Sequence, residues 1–198
     1  MKIGLFGGSF DPIHRGHLEP VRQARAALGL ERVIYLPTAR PPHKGERHAP
    51  ALARFAMVEL ALLGEEGLYA SPFEMRDAVC YTVDSVEHFR RELPGAELVL
   101  LIGADSWASF TTFRSWARIL DLAELAVMVR PGWESGEMAP RLAEERARGG
   151  LRFVANEPCP VSSRELRERL RRGEDVSPDQ VPPLVIDYLR KYGLYRSS

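Results

Sequence analysis

The stretch Lys2-Ile3-Gly4-Leu5-Phe6-Gly7-Gly8-Ser9-Phe10-Asp11-Pro12-Ile13-His14-Arg15-Gly16-His17 decides how the rest of the chain is read. Its opening apolar run has the length of a buried strand, two glycines then make a turn, and helical periodicity starts near His17. Strand, glycine turn and helix N-terminus in that order form an anion site. Glycines let the backbone approach a ligand, and the first helical N–H groups are unpaired and carry partial positive charge. Two imidazoles, His14 and His17, add side-chain donors beside that cradle, and phosphate is the ligand this chemistry suits. Gly-Gly and Asp-Pro alone are ordinary turn formers. The pattern is not a P-loop, because no Gly-Lys-Ser/Thr follows four spacer residues. Nor do Gly4, Gly7 and Gly8 make Gly-x-Gly-x-x-Gly.

Outward from this stretch, strand-length apolar runs at 2–6, 32–36, 98–102 and 125–129 alternate with helical patterns at 18–28, 51–63, 82–92 and 184–191. Such alternation predicts an α/β fold with a mainly parallel sheet covered by helices on both faces, binding ligands beyond the carboxyl ends of its strands. The 198 residues suggest a single domain, 1–198, with a C-terminal helical part at about 162–198 packing on the core. Pro37 to Pro50 reads as an exposed loop, and Pro131 to Gly150 as irregular or weakly helical.

The bulk properties exclude several classes. Apolar residues at 45% and charged residues at 27% suit a soluble globular protein. Twenty-seven basic and 27 acidic residues cancel, which argues against a dedicated nucleic-acid or membrane-surface binder. Phosphate affinity must then come from local placement of charge. Two cysteines, Cys80 and Cys159, form no Cys-x-x-Cys pair, so neither a disulfide framework nor a zinc site is expected. No signal-peptide pattern opens the chain and no apolar run is long enough to span a bilayer, which leads to a cytoplasmic expectation.

Two further segments have the chemistry of ligand contacts. Leu101-Ile102-Gly103-Ala104-Asp105-Ser106 ends a buried strand, where small residues would admit a flat base or ribose. Asp105 either accepts from hydroxyls there or caps the next helix. Val161-Ser162-Ser163-Arg164-Glu165-Leu166-Arg167 has the Ser-x-x-Glu spacing of a capping box, and a capped helix start is also an anion site.

The segment Gly-Gly-Ser-Phe-Asp-Pro-Ile-His-x-Gly-His at Gly7–His17 resembles the N-terminal signature of the nucleotidylyltransferase superfamily, and within it the bacterial nicotinate-nucleotide adenylyltransferases. The resemblance implies a Rossmann-like, doubly wound sheet and transfer of a nucleoside monophosphate from a triphosphate to a phosphate acceptor. His14 stands where the phosphopantetheine adenylyltransferases usually carry Thr. The resemblance assigns Gly8, Ser9, Phe10, His14, His17, Gly103, Asp105, Ser162, Ser163 and Arg167 to ATP, with His14 and His17 as the catalytic pair. On the acceptor side it implies Lys44 of Pro41-Pro42-His43-Lys44, Thr82 after Cys80-Tyr81, Ala104, Trp116 and Arg130 of Arg130-Pro131-Gly132. Three positions depart from the family pattern: Ala78 for Gly, Cys80 for Ser and Arg164 for Thr. By spacing alone Trp116 reads as core, and Arg130 either meets acceptor charge or fixes a turn. Arg169, Arg171 and Arg172 read as solvated surface.

The implied reaction joins ATP and nicotinate mononucleotide into deamido-NAD and pyrophosphate. Magnesium is expected to bridge triphosphate oxygens, with no protein metal cage. The small-molecule substrates would be the partners, with neither nucleic acid nor membrane, and oligomeric state is not legible. A sibling transferase acting on phosphopantetheine or a polyol phosphate, and a nucleotide sensor without turnover, remain as alternatives.

Overall fold

β1 (Lys2–Gly8) buries Ile3, Leu5 and Phe6, and its side chains from residue 3 to 6 are inaccessible on both faces. A strand buried on both faces belongs in a helix-covered parallel sheet. The structure, a computed structural model, describes residues 1–39, 49–76 and 79–196. The further strands are β2 (Arg32–Pro37), β3 (Leu68–Ala70), β4 (Glu97–Gly103), β5 (Glu124–Val129) and β6 (Leu151–Ala155). They lie in the order β3-β2-β1-β4-β5-β6, with β1–β4, β4–β5 and β5–β6 parallel. The register pairs Lys2 with Glu97 and Phe6 with Leu101, then Gly103 with Met128. This is the doubly wound Rossmann-like topology, whose strand order reverses between β1 and β4.

The helices are α1 (Arg15–Leu28), α2 (Ala51–Leu62), α3 (Thr82–Glu92), α4 (Ala104–Trp107), α5 (Trp116–Leu122), α6 (Pro140–Ala147), α7 (Ser163–Arg171) and α8 (Pro183–Tyr192). Sequence periodicity anticipates four of the strands and α1, α2, α3 and α8. It misses β3 and β6, which are short and carry few consecutive apolar residues. α6 falls inside the Pro131–Gly150 stretch read as irregular or weakly helical, and its charged sequence Pro-Arg-Leu-Ala-Glu-Glu-Arg-Ala buries only Leu142 and Glu145.

Two compact units make up the chain. Met1–Gly7, Pro20–Ile34 and Cys80–Pro158 form one; Gly8–Glu19, Tyr35–Val79 and Cys159–Ser198 form the other. The first holds β1, β4, β5 and β6 around Leu5, Leu98, Leu101 and Leu125, with α3 packed on α5 and α6 on β6. The second has Phe10, Ile13, Tyr35 and Met57 as its buried centre, with α2 packed on β3 and α8.

Candidate active site

The second unit contains the Gly8–His17 loop, and its shape follows from one buried ring. Phe10 is fully buried, its backbone has φ +46°, and its ring meets His17 edge-on at 5.2 Å and Tyr35 at 5.7 Å. A Cβ on Gly8 would stand 2.9 Å from that ring, so only glycine lets the phenyl fold back beneath the loop. Phe10 can therefore offer a ligand its backbone alone. Gly16 is constrained as tightly: a Cβ there would lie 2.8 Å from the Val161 carbonyl oxygen and 2.9 Å from the His14 ring.

α1 begins at Arg15, two residues before the sequence pattern places it, with His14 at the N-cap position. The His14 carbonyl accepts from the backbone N–H of His17 at 2.9 Å, while the His14 N–H donates to Nδ1 of His17 at 3.3 Å. His17 thus takes the place that Glu or Gln holds in a capping box. Because Nδ1 accepts, the neutral ring carries its proton on Nε2.

The two imidazoles lie 3.8 Å apart at 32°. His14 is 4% exposed, and its Nδ1 is buried with no hydrogen-bond partner among the described residues. Burial, and then the charge of His17, lower its pKa from 6.5 to about 2. His14 is therefore neutral at physiological pH, whereas the unfolded chain takes up a proton below pH 6.5. Stability should fall as acidity increases from that point toward about pH 2, approaching about 1.4 kcal/mol per pH unit. Urea unfolding should show about 2 kcal/mol lost between roughly pH 7 and 5, and His14→Asn should flatten that slope. An equal slope in the variant would assign the acid sensitivity elsewhere.

Beneath the loop, buried polar side chains grip its backbone. Arg54, 2% exposed, donates through Nε to the Ala49 carbonyl at 3.2 Å and through Nη1 to those of Ser9 at 2.6 Å and Thr38 at 2.7 Å. Its Nη2 reaches the Ala39 carbonyl at 3.0 Å. Burial pulls this guanidinium below its ordinary pKa, and the Asp11 charge opposes the shift. Asp11 Oδ1 accepts from the Ala49 N–H at 3.1 Å and from the Tyr195 hydroxyl. None of these contacts is anticipated by motif spacing. Arg54 nevertheless leaves a trace: it sits on the buried stripe with Met57, Val58, Ala61 and Leu62, where a charge is out of place.

The start of α7 meets the same loop. Ser162 is the N-cap, its hydroxyl accepting from the Glu165 N–H at 3.2 Å, and Ser163 donates to the Pro12 carbonyl at 3.0 Å. Arg167 is 6% exposed and its Nη1 donates to the Asp11 carbonyl at 2.8 Å. Ser163 and Arg167 thus meet the Gly8–His17 loop, while Ser162 caps α7. Arg169 is not mere solvated surface. It binds Glu174, Gln180 and the Asp175 carbonyl, tying α7 to the segment before α8.

The first unit carries the other predicted residues. Gly103 is the N-cap of α4, so Asp105 is not the cap; it lies exposed in the first turn. Ala104 opens that helix. Trp116 is the first residue of α5, partly exposed, with one edge contact to Phe110 at 6.2 Å. It is therefore not a core residue, and part of its indole remains accessible. Thr82 begins α3 behind Tyr81, whose N–H donates to Asp84 Oδ2 at 2.9 Å. Arg114 lies over the Tyr81 ring at 4.6 Å. Arg130 follows β5 and is exposed. Lys44 and Ala78 lie outside the described residues.

The cytidylyltransferase-like family model matches residues 5–169. A curated relative from Laribacter hongkongensis, named a probable nicotinate-nucleotide adenylyltransferase, is 41% identical over 99% of this chain and 95% of its own. One from Neisseria meningitidis serogroup B with the same name is 39% identical over 98% of each chain. The chain belongs to the nicotinate-nucleotide adenylyltransferase family. A solved Plasmodium falciparum nicotinic acid mononucleotide adenylyltransferase, complexed with NaAD, shares the fold at TM-score 0.76 and 16% identity, over 98% of this chain and 97% of its own.

Within this adenylyltransferase family, two departures of the chain have structural explanations. Cys80 is buried with Sγ 3.6 Å from Ser85 Oγ, a polar contact that a serine hydroxyl would also make. Arg164 points to solvent, 79% exposed, and pairs with Glu168 at 3.6 Å, so the exchange falls on the surface of α7. Among the described residues no helix is long and apolar enough to cross a membrane.

Proposed function

We infer that the protein transfers the adenylyl group of ATP to nicotinate mononucleotide, releasing deamido-NAD and pyrophosphate. The observation that carries this reading is the His14–His17 pair at the start of α1, one nitrogen of which is buried without a protein partner among the described residues. An orphaned buried donor or acceptor is costly unless a ligand satisfies it.

The acceptor's phosphate oxygen is a nucleophile at neutral pH, so no strong base is needed. It attacks the α-phosphorus, the bond from that phosphorus to the bridging oxygen breaks, and the electron pair leaves with pyrophosphate. Negative charge grows on the departing oxygens, which His14, His17 and the positive end of the α1 dipole would stabilise. Gly8 and Ser9 offer backbone to the phosphates, and Ser162 and Ser163 open a second helix start. Gly103 and Asp105 would face the nucleoside, and Ala104, Thr82, Trp116, Arg130 and Lys44 the acceptor. A flat cationic pyridinium on the exposed part of Trp116 would gain about 0.5–2 kcal/mol. Magnesium prefers substrate phosphates and water to a protein cage, so it would enter with the nucleotide and supply positive charge to the triphosphate. The reaction would take place in the cytoplasm.

Pyrophosphate release with ATP and a panel of acceptors tests the reading. The kcat/KM for nicotinate mononucleotide should exceed those for nicotinamide mononucleotide, phosphopantetheine and a polyol phosphate. ATP binding with no acceptor-dependent release would reduce the protein to a nucleotide sensor.

A further inference from the structure

The C-terminal segment closes on the phosphate loop in a way the transfer chemistry does not require. Gly193, at φ +59°, ends α8 in the left-handed conformation. Its N–H bonds the Arg190 carbonyl at 3.3 Å and that of Leu194 bonds the Leu189 carbonyl at 3.1 Å, a Schellman turn. That turn redirects the chain, and two residues later Tyr195 donates its hydroxyl to Asp11 Oδ1. Tyr195 has φ +64°, an uncommon conformation for an aromatic residue; Phe10, next to Asp11, has φ +46°. Backbone conformations of this kind persist where surrounding contacts enforce them, and they cluster at functional sites.

The partner of Tyr195 is already central to the loop. Asp11 is 1% exposed; its carboxylate also holds the Ala49 N–H, and its carbonyl accepts from Arg167. Burial and the neighbouring Asp11 charge both raise the Tyr195 pKa, so the hydroxyl stays protonated and can only serve that carboxylate as a donor. Oδ1 and the carbonyl oxygen of Asp11 are thus held by residues distant in sequence, and two of these three, Arg167 and Tyr195, come from the C-terminal part of the chain.

We propose that Tyr195 is a positioning residue for the polyphosphate grip: its hydroxyl holds the Asp11 carboxylate, and through Asp11 it sets the backbone that presents His14 and the start of α1. The inference rests on reading the Gly8–His17 loop as a polyphosphate site. Docking of the C-terminal segment and binding of polyphosphate then favour each other, each by the same factor.

Inorganic tripolyphosphate is the probe, because it needs neither the acceptor nor turnover. Tyr195→Phe, which removes only the hydroxyl, should weaken tripolyphosphate binding by about 10-fold in calorimetry, a coupling within the usual range. A purely structural hydroxyl would lower the melting temperature and leave that affinity unchanged, measured well below the transition. In the unaltered protein, tripolyphosphate should slow amide hydrogen exchange at Tyr195 and Arg196, a readout that needs no variant. Equal affinities with unchanged exchange would overturn the proposal, as would failure of the unaltered protein to bind tripolyphosphate. Tripolyphosphate binding without pyrophosphate release from ATP and nicotinate mononucleotide would sink the transfer reading alone and leave the Tyr195 result standing.

Discussion

Replacing His17 with Ala is expected to lower kcat for adenylyl transfer by about 10²–10³, the usual cost of losing one preorganised donor at a developing charge. This residue has a structural contact and a proposed chemical role. Its Nδ1 accepts the His14 N–H at the helix start, and in the proposed reaction its other ring nitrogen is the donor to phosphate. The alanine variant loses both functions and should also show a capping loss of about 0.5–2 kcal/mol in urea unfolding. His17→Gln separates them, because a glutamine oxygen at this position can keep the cap. That variant should unfold like the parent yet lose turnover to a similar extent. Rates at parental levels in both variants would remove His17 from the chemistry. A loss confined to the alanine protein would assign it to the cap.

The second large effect is on stability. Arg54→Leu should cost about 3–5 kcal/mol, as expected when a buried, multiply bonded charge is removed and its partners stay behind. The carbonyls of Ser9, Thr38, Ala39 and Ala49 all accept from that one guanidinium. Arg54→Lys should recover little of the loss, since an ammonium lacks the planar fork that reaches four oxygens from one position. Denaturant unfolding at neutral pH measures both. A leucine variant within about 1 kcal/mol of the parent would mean that these carbonyls are served in other ways. Because Arg54 holds Ser9 of the Gly8–His17 loop, where polyphosphate binding is proposed, the lysine variant should also bind tripolyphosphate more weakly than the parent.

These two residues differ in how plainly the sequence shows them. His17 stands in a dense local pattern, where strand, turn and helix start follow within a few residues and each constrains the next. Ser162 is legible for the same reason, since a hydroxyl three residues before Glu165 is a helix-cap spacing, and the hydroxyl does accept from that N–H. Asp105 shows the limit of local reading. Its spacing permits a cap, but β4 continues to Gly103 and the cap falls there. Helical spacing does not report which neighbours cover an indole, so Trp116 is ambiguous in the sequence. In the fold its ring meets Phe110 edge-on and stays partly exposed.

From the sequence alone come the alternating strands and helices, the glycine turn, the histidine pair and the serine cap. Those are properties of neighbouring residues, governed by periodicity, backbone freedom and helix-end hydrogen bonding. Tertiary structure alone decided what holds the Gly8–His17 loop in shape. Arg54 reaches Ser9 across 45 residues, Arg167 reaches Asp11 across 156, and Tyr195 reaches Asp11 across 184. No period or motif links such positions. Their contacts exist because buried backbone carbonyls and a buried carboxylate must be paired, and the fold brings these side chains to them.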